Sequence, residues 1–600
     1  MERSIPRKNT SQIRSLLRGA WFFRHLKLAH WGALALSGVF IIATILLSFA
    51  LPIALRIAIN TLELHTQENP IWWALLLLSL YAAAWFLRQV TIQMREICAF
   101  VPFEHVVKLI SHEAFAHMLK LPMNFHVHRR INSLTGVFKK AQQNIPVIYS
   151  IILYWIAPLL IESLGAVAIV FKLFGGFFAV VLSLTLLCYG LCIAYFSDIT
   201  RIYRQRFMEI LSRSHARLID SLLHIEMVKS FNQEHAEFER FSKISQDAAH
   251  AQEKYGTMHT SMHLVEAVIL GTGITLFSMR AASLVMTKTF TIGDFVMLHG
   301  YVLQFALPLS ILGHLLRYLQ TGLVDLGSIL DVLDIEPSIR DAENAQPLRT
   351  SRGEIILHNV TFGYIPEKPI IKNLSVTLRG QSVIGIVGGS GSGKSTLARL
   401  LTRHYDINAG SITIDGQNIT TTTLQSLRQS IAVVPQECTL FNESIFYNIA
   451  YGNPTAKAED VFNAARAAQL ENFIKTLPHQ YETIIGERGM KISGGERQRI
   501  AMARALLKKP SIYIFDEATS ALDNQTEMTL QQNLAAWCKN STTISIAHRL
   551  TTISGADIIF YMEDGNIAEQ GTHTELLEMG GKYASLWNQQ QYSQKPEGSQ

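Results

Sequence analysis

Six apolar stretches in the first 320 residues constrain this chain more than anything else in it. They run from about Trp31 to Ile53, Ile71 to Leu87, Val147 to Phe171, Phe174 to Phe196, Met262 to Met286 and Asp294 to Leu316. Each is close to the roughly 20 residues a helix needs to cross a bilayer. Lipid gives a bare N–H or C=O no hydrogen-bond partner, so these stretches must satisfy their backbones internally, as helices. Composition agrees: 48% of the 600 residues are hydrophobic and only 17% charged, less charge than a soluble chain of this length carries. The length allows two to four domains, so the six spans are one part of a larger design.

The charges around the spans set their orientation. Residues 1–30 hold Arg3, Arg7, Lys8, Arg14, Arg18, Arg24 and Lys27 against the single acid Glu2, interleaved with Ile13, Leu16, Leu17, Trp21, Phe22 and Phe23. This reads as a basic amphipathic helix on the cytoplasmic membrane surface. A mitochondrial transit segment is the alternative, whereas a secretory signal lacks its small-residue cleavage site. The connection 57–70 carries Glu63 and Glu68 and no Lys or Arg, and 88–144 is basic again, so both termini lie in the cytoplasm. The net charge of +6 and pI near 8.9 come from basic residues beside apolar runs, which fits membrane orientation rather than nucleic-acid binding. The five cysteines form no CxxC pair and no zinc spacing.

Segments 88–144 and 197–261 are too long for loops and keep helical apolar periodicity, so spans two to five are expected to continue into the cytoplasm as long helices joined in pairs by short turns. Glu162 in span three, and Glu266 and Arg280 in span five, are charges at membrane depth that need a partner or a cavity. A structural ion pair and the lining of a substrate pathway both remain open for them. Pro158 and Pro308 are candidate kinks. The expected organisation is a surface segment over 1–30, an all-α six-span membrane domain over 31–333, a polar linker over 334–353, an α/β domain over 354–590 and a disordered tail over 591–600.

The α/β part announces its chemistry at Gly388-Gly389-Ser390-Gly391-Ser392-Gly393-Lys394-Ser395-Thr396. The stretch follows the strand-like Val383–Val387 and opens into the helical spacing of Leu397–Leu401, the setting a phosphate-binding loop requires. Its glycines let successive N–H groups turn inward on phosphate oxygens, and the helix N-terminus adds partial positive charge. Lys394 can reach β- and γ-phosphates, and Ser395 can place its hydroxyl on Mg²⁺. Ser511–Glu517 reads as an apolar strand ending in two acids: Asp516, at the end of a neighbouring strand, fits a Mg²⁺-holding role, and Glu517 a general base for the attacking water. His548, after another apolar strand, is placed to contact the γ-phosphate.

With these residues in hand the chain resembles the ATP-binding cassette (ABC) family over nearly its whole length. Ile492-Ser493-Gly494-Gly495-Glu496 matches the family signature except for Ile in place of Leu, Gln436 the Q-loop, Ser520-Ala521-Leu522-Asp523 the D-loop, and Tyr364 the aromatic that stacks on adenine. Gly486-Glu487-Arg488-Gly489 looks like the coupling motif of exporters. The resemblance implies an α/β P-loop ATPase that binds ATP with Mg²⁺, with Gln436 joining Ser395 and Asp516 at the metal. It implies that Ser493, Gly494 and Gly495 reach the γ-phosphate of a second chain's ATP, with Asp523 nearby. One cassette per chain then requires a dimer with itself or with a related half-transporter, and the order of domains is that of half-size exporters.

Phe125-His126 and the stretch Ile219–Asn232 are similar to the mitochondrial-type exporters of glutathione-linked compounds and heavy metals. Carrying that subfamily's cargo site over gives Arg201 and Arg204 on span four's extension, His263 and Glu266 on span five, and Arg317 near the end of span six. Thr200 stands where the subfamily has its first arginine, and Glu266 where it has a neutral Gln. The expected activity is ATP-driven export of a small molecule, glutathione-linked or metal–thiol in one reading and a lipid or hydrophobic drug in the other. An ATP-gated channel ranks below both because Glu517 and His548 are retained. A bacterial inner membrane is favoured over the mitochondrial one, given the short N-terminal extension.

Overall fold

The computed structural model describes residues 12–63, 71–128, 131–365, 367–486, 492–519, 524–547 and 549–594. The chain divides into two compact units, one comprising 1–120 and 129–335 and the other 121–128 and 336–600.

The first unit is helical. A short α1 (Gln12–Trp21) and a 3₁₀ turn, Phe22–His25, precede α2 (Leu28–Glu63) and α3 (Ile71–Lys120). The element α4 (Met123–His128) falls in the second unit, and α5 (Ile131–Ser150) returns to the first. Then come α6 (Ala157–Phe174), α7 (Gly176–Leu223), the short α8 (Ile225–Ser230), α9 (Glu234–Met286) and α10 (Ile292–Leu333). Six helical stretches among the described residues are long and apolar enough to cross a membrane, and four of them are 42 to 53 residues long because they run on past the apolar stretch. Their outward faces are exposed apolar side chains such as Val39, Ile42 and Leu46 on α2 and Leu184, Leu187 and Leu191 on α7. Lipid, rather than protein, is the solvent such faces suit. The N-terminal helix is anchored: Phe22 and Leu26 are buried in the core, and Arg18 grips Asp334 with two bonds of 2.6 and 2.7 Å.

Pro158 is accommodated rather than kinking freely. It sits just inside α6, directly after a π-helical turn over Ile151–Ile156, where the Ala157 N–H reaches the Ile152 carbonyl. The wider turn re-pairs backbone groups that a missing proline N–H disturbs. Glu162 has structural partners, accepting from Ser48 Oγ at 2.9 Å and Gln304 Nε2 at 3.3 Å, while Arg88 Nε donates to the same serine at 2.8 Å. Arg280 is exposed, near the end of α9, where a long cationic side chain can extend toward the membrane surface.

The second unit holds two sheets. β1 (Ile355–Phe362), β2 (Ile371–Leu378), β4 (Ala409–Ile414) and β5 (Gln417–Asn418) form an antiparallel sheet in the order β2-β1-β4-β5. The larger sheet is ordered β10-β9-β3-β8-β7-β6, from β3 (Val383–Gly388), β6 (Ile431–Val434), β7 (Ile512–Asp516), β8 (Thr542–Ile546), β9 (Ile558–Glu563) and β10 (Asn566–Gly571), parallel except for its β10 edge. Its central strands are buried, as sheets covered on both faces must be: all five residues of β7 are buried. The helices are α11 (Lys394–Leu401), α12 (Leu424–Ser430), α13 (Ile445–Ala450), α14 (Ala458–Ala467), α15 (Glu471–Thr476), α16 (Gly494–Lys508), α17 (Asn524–Trp537), α18 (His573–Glu578) and α19 (Lys582–Gln594). α11 packs in one apolar core with both sheets, whereas α16 packs in a second core with α13 and α14. The last helix continues to Gln594, beyond the point where Gln/Ser composition suggested a tail, because Tyr583, Leu586 and Trp587 hold it in a third core.

Candidate functional site

The glycine loop has the shape its residues dictate. Gly388 and Gly393 have φ of 149° and 103°, and an added Cβ would stand 2.0 Å from the Met562 carbonyl oxygen at the first and 2.7 Å from Ile371 Cδ1 at the second. A Cβ on Gly389 or Gly391 would meet nothing within 4 Å, so this side of the loop is open to a ligand. Ser390 is exposed there, while Ser392, Lys394 and Thr396 are buried. Lys394 Nζ donates to the carbonyls of Gly388 and Gly389, both at 2.9 Å, which folds the ammonium back over the loop. Burial pushes the Lys394 pKa down, and the carboxylates of Glu517 and Asp516 oppose that in part. An ammonium in such a place gains from a phosphate arriving within its reach.

Asp516 ends β7 and Glu517 follows it. The strand order places β8 between β3 and β7, so the two acids come from the next strand but one rather than from a neighbouring strand. The parallel register still brings them to the loop: Ser395 Oγ donates to Asp516 Oδ1 at 3.2 Å. Gln436, just after β6, donates from Nε2 to Glu517 Oε2 at 2.6 Å. Glu517 holds a left-handed backbone, φ 52°, fixed by its N–H on the Ile546 carbonyl at 2.8 Å. Non-glycine residues in that region cost about 1–3 kcal/mol and cluster at functional sites. Lys394, Ser395, Gln436, Asp516 and Glu517 thus share one end of the sheet, with oxygen and amide groups suited to a hydrated divalent cation and a polarised water.

Ser493 caps α16 reciprocally with Glu496: the Glu496 N–H reaches Ser493 Oγ at 3.3 Å, and the Ser493 N–H reaches Glu496 Oε2 at 2.8 Å. Ser493 is exposed, and with Gly494 and Gly495 it forms a helix N-terminus suited to an anion. Tyr364 is 40% exposed, its ring edge-on to Phe362 and Tyr405 and its hydroxyl accepting from Arg399 at 2.8 Å. His548, Asp523 with the rest of its loop, and Glu487-Arg488-Gly489 lie outside the described residues.

In the membrane unit a cavity of about 670 Å³ is lined by Arg201, Arg204, His215 and Arg317, with Asn144 and Asp325 among its other walls. Among the described residues that line it, three arginines against one acid make it an anion-favouring space. Thr200 is buried and spends its hydroxyl on the Phe196 carbonyl at 2.8 Å. Arg317 is 5% exposed, and its Nη2 donates to His259 Nε2 at 2.6 Å and His314 Nδ1 at 3.1 Å. Among the described residues its Nε and Nη1 are buried without a partner. An unpaired buried donor costs about 1–3 kcal/mol, so an arriving acceptor is favoured there. His263 and Glu266 do not line this cavity; they pair with each other at 2.8 Å, and the His263 ring lies 4.6 Å from that of His259. Sequence reasoning missed His259 and His314, whose only signal was their helical spacing from His263 and Arg317.

Comparison with known proteins agrees with both halves. Residues 34–309 match the ABC transporter transmembrane region and residues 371–520 the ABC transporter domain. The chain is 37% identical over 497 residues to "Iron-sulfur clusters transporter atm1, mitochondrial" of Aspergillus fumigatus, covering 82% of this chain and 68% of the relative. It is 35% identical over 550 residues to the "ATM1-type heavy metal exporter" of Novosphingobium aromaticivorans, covering 90% of each. The solved structure of a bacterial Atm1-family ABC exporter with ATP bound superposes with a TM-score of 0.83 at 34% identity, over 93% of this chain and 99% of that one.

Proposed function

The chain belongs to the ATP-binding cassette exporters of the Atm1 type, and from that premise we propose how its residues divide the work. It is a multi-pass membrane protein that binds ATP and drives export with it. In our reading the backbone N–H groups of Gly389–Thr396 hold the β- and γ-phosphates, Lys394 leaves its loop carbonyls for phosphate oxygens, and Tyr364 stacks on adenine. Ser395 and Gln436 would hold Mg²⁺, with Asp516 acting through water; bound there, the ion neutralises charge on the phosphates. Gln436 and Glu517 then orient the water, Glu517 as its base.

α16, whose N-terminus is formed by Ser493–Gly495, packs in a different core from α11, which supports a composite site: the signature of one copy completes the loop of another. Two copies make the working exporter in this reading, with 334–353 as the linker, in a bacterial inner membrane with cytoplasmic termini. Closing two cassettes on ATP favours one arrangement of the membrane halves, and hydrolysis releases it.

The cargo we infer is an anionic, thiol-linked compound held by Arg201, Arg204 and Arg317. Arg317 carries this reading: a buried guanidinium with two donors that meet no partner among the described residues, on a cavity walled by two more arginines. The test is ATPase activity in proteoliposomes, where glutathione disulfide is expected to stimulate hydrolysis and Glu517→Gln to abolish it while ATP still binds. Hydrolysis unchanged in Glu517→Gln removes the base assignment. Stimulation by lipids or drugs alone replaces the thiol-linked cargo.

A further inference from the structure

Resting on Arg201, Arg204 and Arg317 as an anion site, we propose that His259 and His314 are positioning residues that couple cargo binding to proton uptake. An arginine side chain only donates hydrogen bonds. The nitrogens that Arg317 Nη2 meets, Nε2 of His259 and Nδ1 of His314, are therefore lone-pair acceptors, and both rings are neutral in this arrangement. Together they hold the guanidinium by one nitrogen and leave Nε and Nη1 unpaired among the described residues, in a buried place. Protonating either ring turns its acceptor into an N–H aimed at a cation, which breaks the bond and sets like charges together. An anionic group on Nε and Nη1 reverses that balance, because its charge stabilises imidazolium and its oxygens accept in place of the rings. Cargo and proton then bind together: a ring nitrogen takes its proton from hydronium, releasing water, the hydrogen bond it accepted from Arg317 Nη2 is given up, and the anion's oxygens accept from the guanidinium instead.

Other titratable and charged groups face the two rings from the helices packed around them. On α9 the rings of Tyr255 and His263 lie 5.9 and 4.6 Å from His259, and Glu266 is engaged by His263 at 2.8 Å. Glu266 is also faced from α7 by Tyr189 and Cys192. On α10, Tyr318 stands 4.9 Å from His314, and from α7 the positive charge of Arg204 bears on it. Among the described residues the carboxylates near this group are Glu266, whose Oε2 meets His263 while its Oε1 is buried without a partner, and Asp325, on the cavity wall with Arg317.

The test is the affinity of the full-length protein in lipid nanodiscs, without nucleotide, for glutathione disulfide at about pH 5.5, 6.5 and 7.5, where the probe's carboxylates stay ionised. Affinity is expected to rise toward acid by up to about tenfold per pH unit for each proton linked. In the double variant His259→Gln, His314→Gln, whose amide oxygens still accept from Arg317, the slope is expected to flatten. A wild-type affinity independent of pH overturns the proton link and leaves the anion site standing. A slope unchanged in the double variant overturns the assignment to these two rings and moves it to His215 or Glu266. Absence of binding at every pH overturns the anion site and the link with it.

Discussion

Replacing Arg317 with Met separates a binding arginine from a structural one. The substitution keeps an apolar stem of similar reach and removes the guanidinium. It orphans two acceptors, His259 Nε2 and His314 Nδ1, and it removes two orphaned donors, Nε and Nη1. At about 1–3 kcal/mol for each unpaired buried group, the two losses and the two gains are of the same size and largely offset each other. The stability of the cargo-free protein is therefore expected to change little, a shift of a few degrees in Tm at most. Cargo, by contrast, loses a charged hydrogen bond of about 1.5–3 kcal/mol, so the glutathione disulfide concentration for half-maximal ATPase stimulation rises roughly ten- to hundredfold. Both quantities are read from one preparation, by thermal melting in nanodiscs and by phosphate release. A large drop in Tm with an unchanged half-maximal concentration would refute the reasoning and make Arg317 a strut of the helix bundle.

Two further expectations concern the cassette. Gly388→Ala puts a methyl group 2.0 Å from the Met562 carbonyl oxygen at a positive φ, so the loop must shift; ATP binding, followed by a fluorescent analogue, should fall at least tenfold. Asp415 accepts four backbone N–H bonds, from Ser351, Arg352, Gly353 and Glu354, at 2.6 to 3.2 Å. Burial would raise its pKa, but the four bonds outweigh that and hold the carboxyl below its ordinary range. Its folded pKa being depressed, the stability it supplies is present above about pH 4 and fades as pH falls through the folded value. Asp415→Asn should therefore cost about 2–4 kcal/mol at neutral pH, and its gap in melting temperature from wild type should narrow below about pH 4.

What the sequence made legible was local. The apolar runs carry their own length requirement, and α2, α3, α7, α9 and α10 follow from it together with their polar extensions. The glycine loop and the acids at 516–517 each sit in a strand-to-turn context that a few residues define, so their neighbourhood is readable from the sequence. Arrangement across the chain was not. Nothing near Ser511–Glu517 says that β8, which comes later in the chain, inserts between β3 and β7. Pro158 marks a disturbance in the helix, but that a π-helical turn before it takes up the disturbed backbone groups is a matter of local pairing that the proline alone does not specify. The divergent cargo positions were found by resemblance, yet only geometry separates Arg201, Arg204 and Arg317, which line the cavity, from His263 and Glu266, which pair off beside it. His259 and His314 acquire meaning from a shared contact with Arg317, a fact of packing between α9 and α10.

The most direct measurement of the central claim is ATP-dependent accumulation of labelled glutathione disulfide in inside-out vesicles containing the full-length protein. Wild type is expected to accumulate the label with ATP and not without it, and Glu517→Gln is expected to bind ATP yet accumulate none. Accumulation by Glu517→Gln equal to that of wild type, or none by wild type with ATP hydrolysis intact, would contradict it.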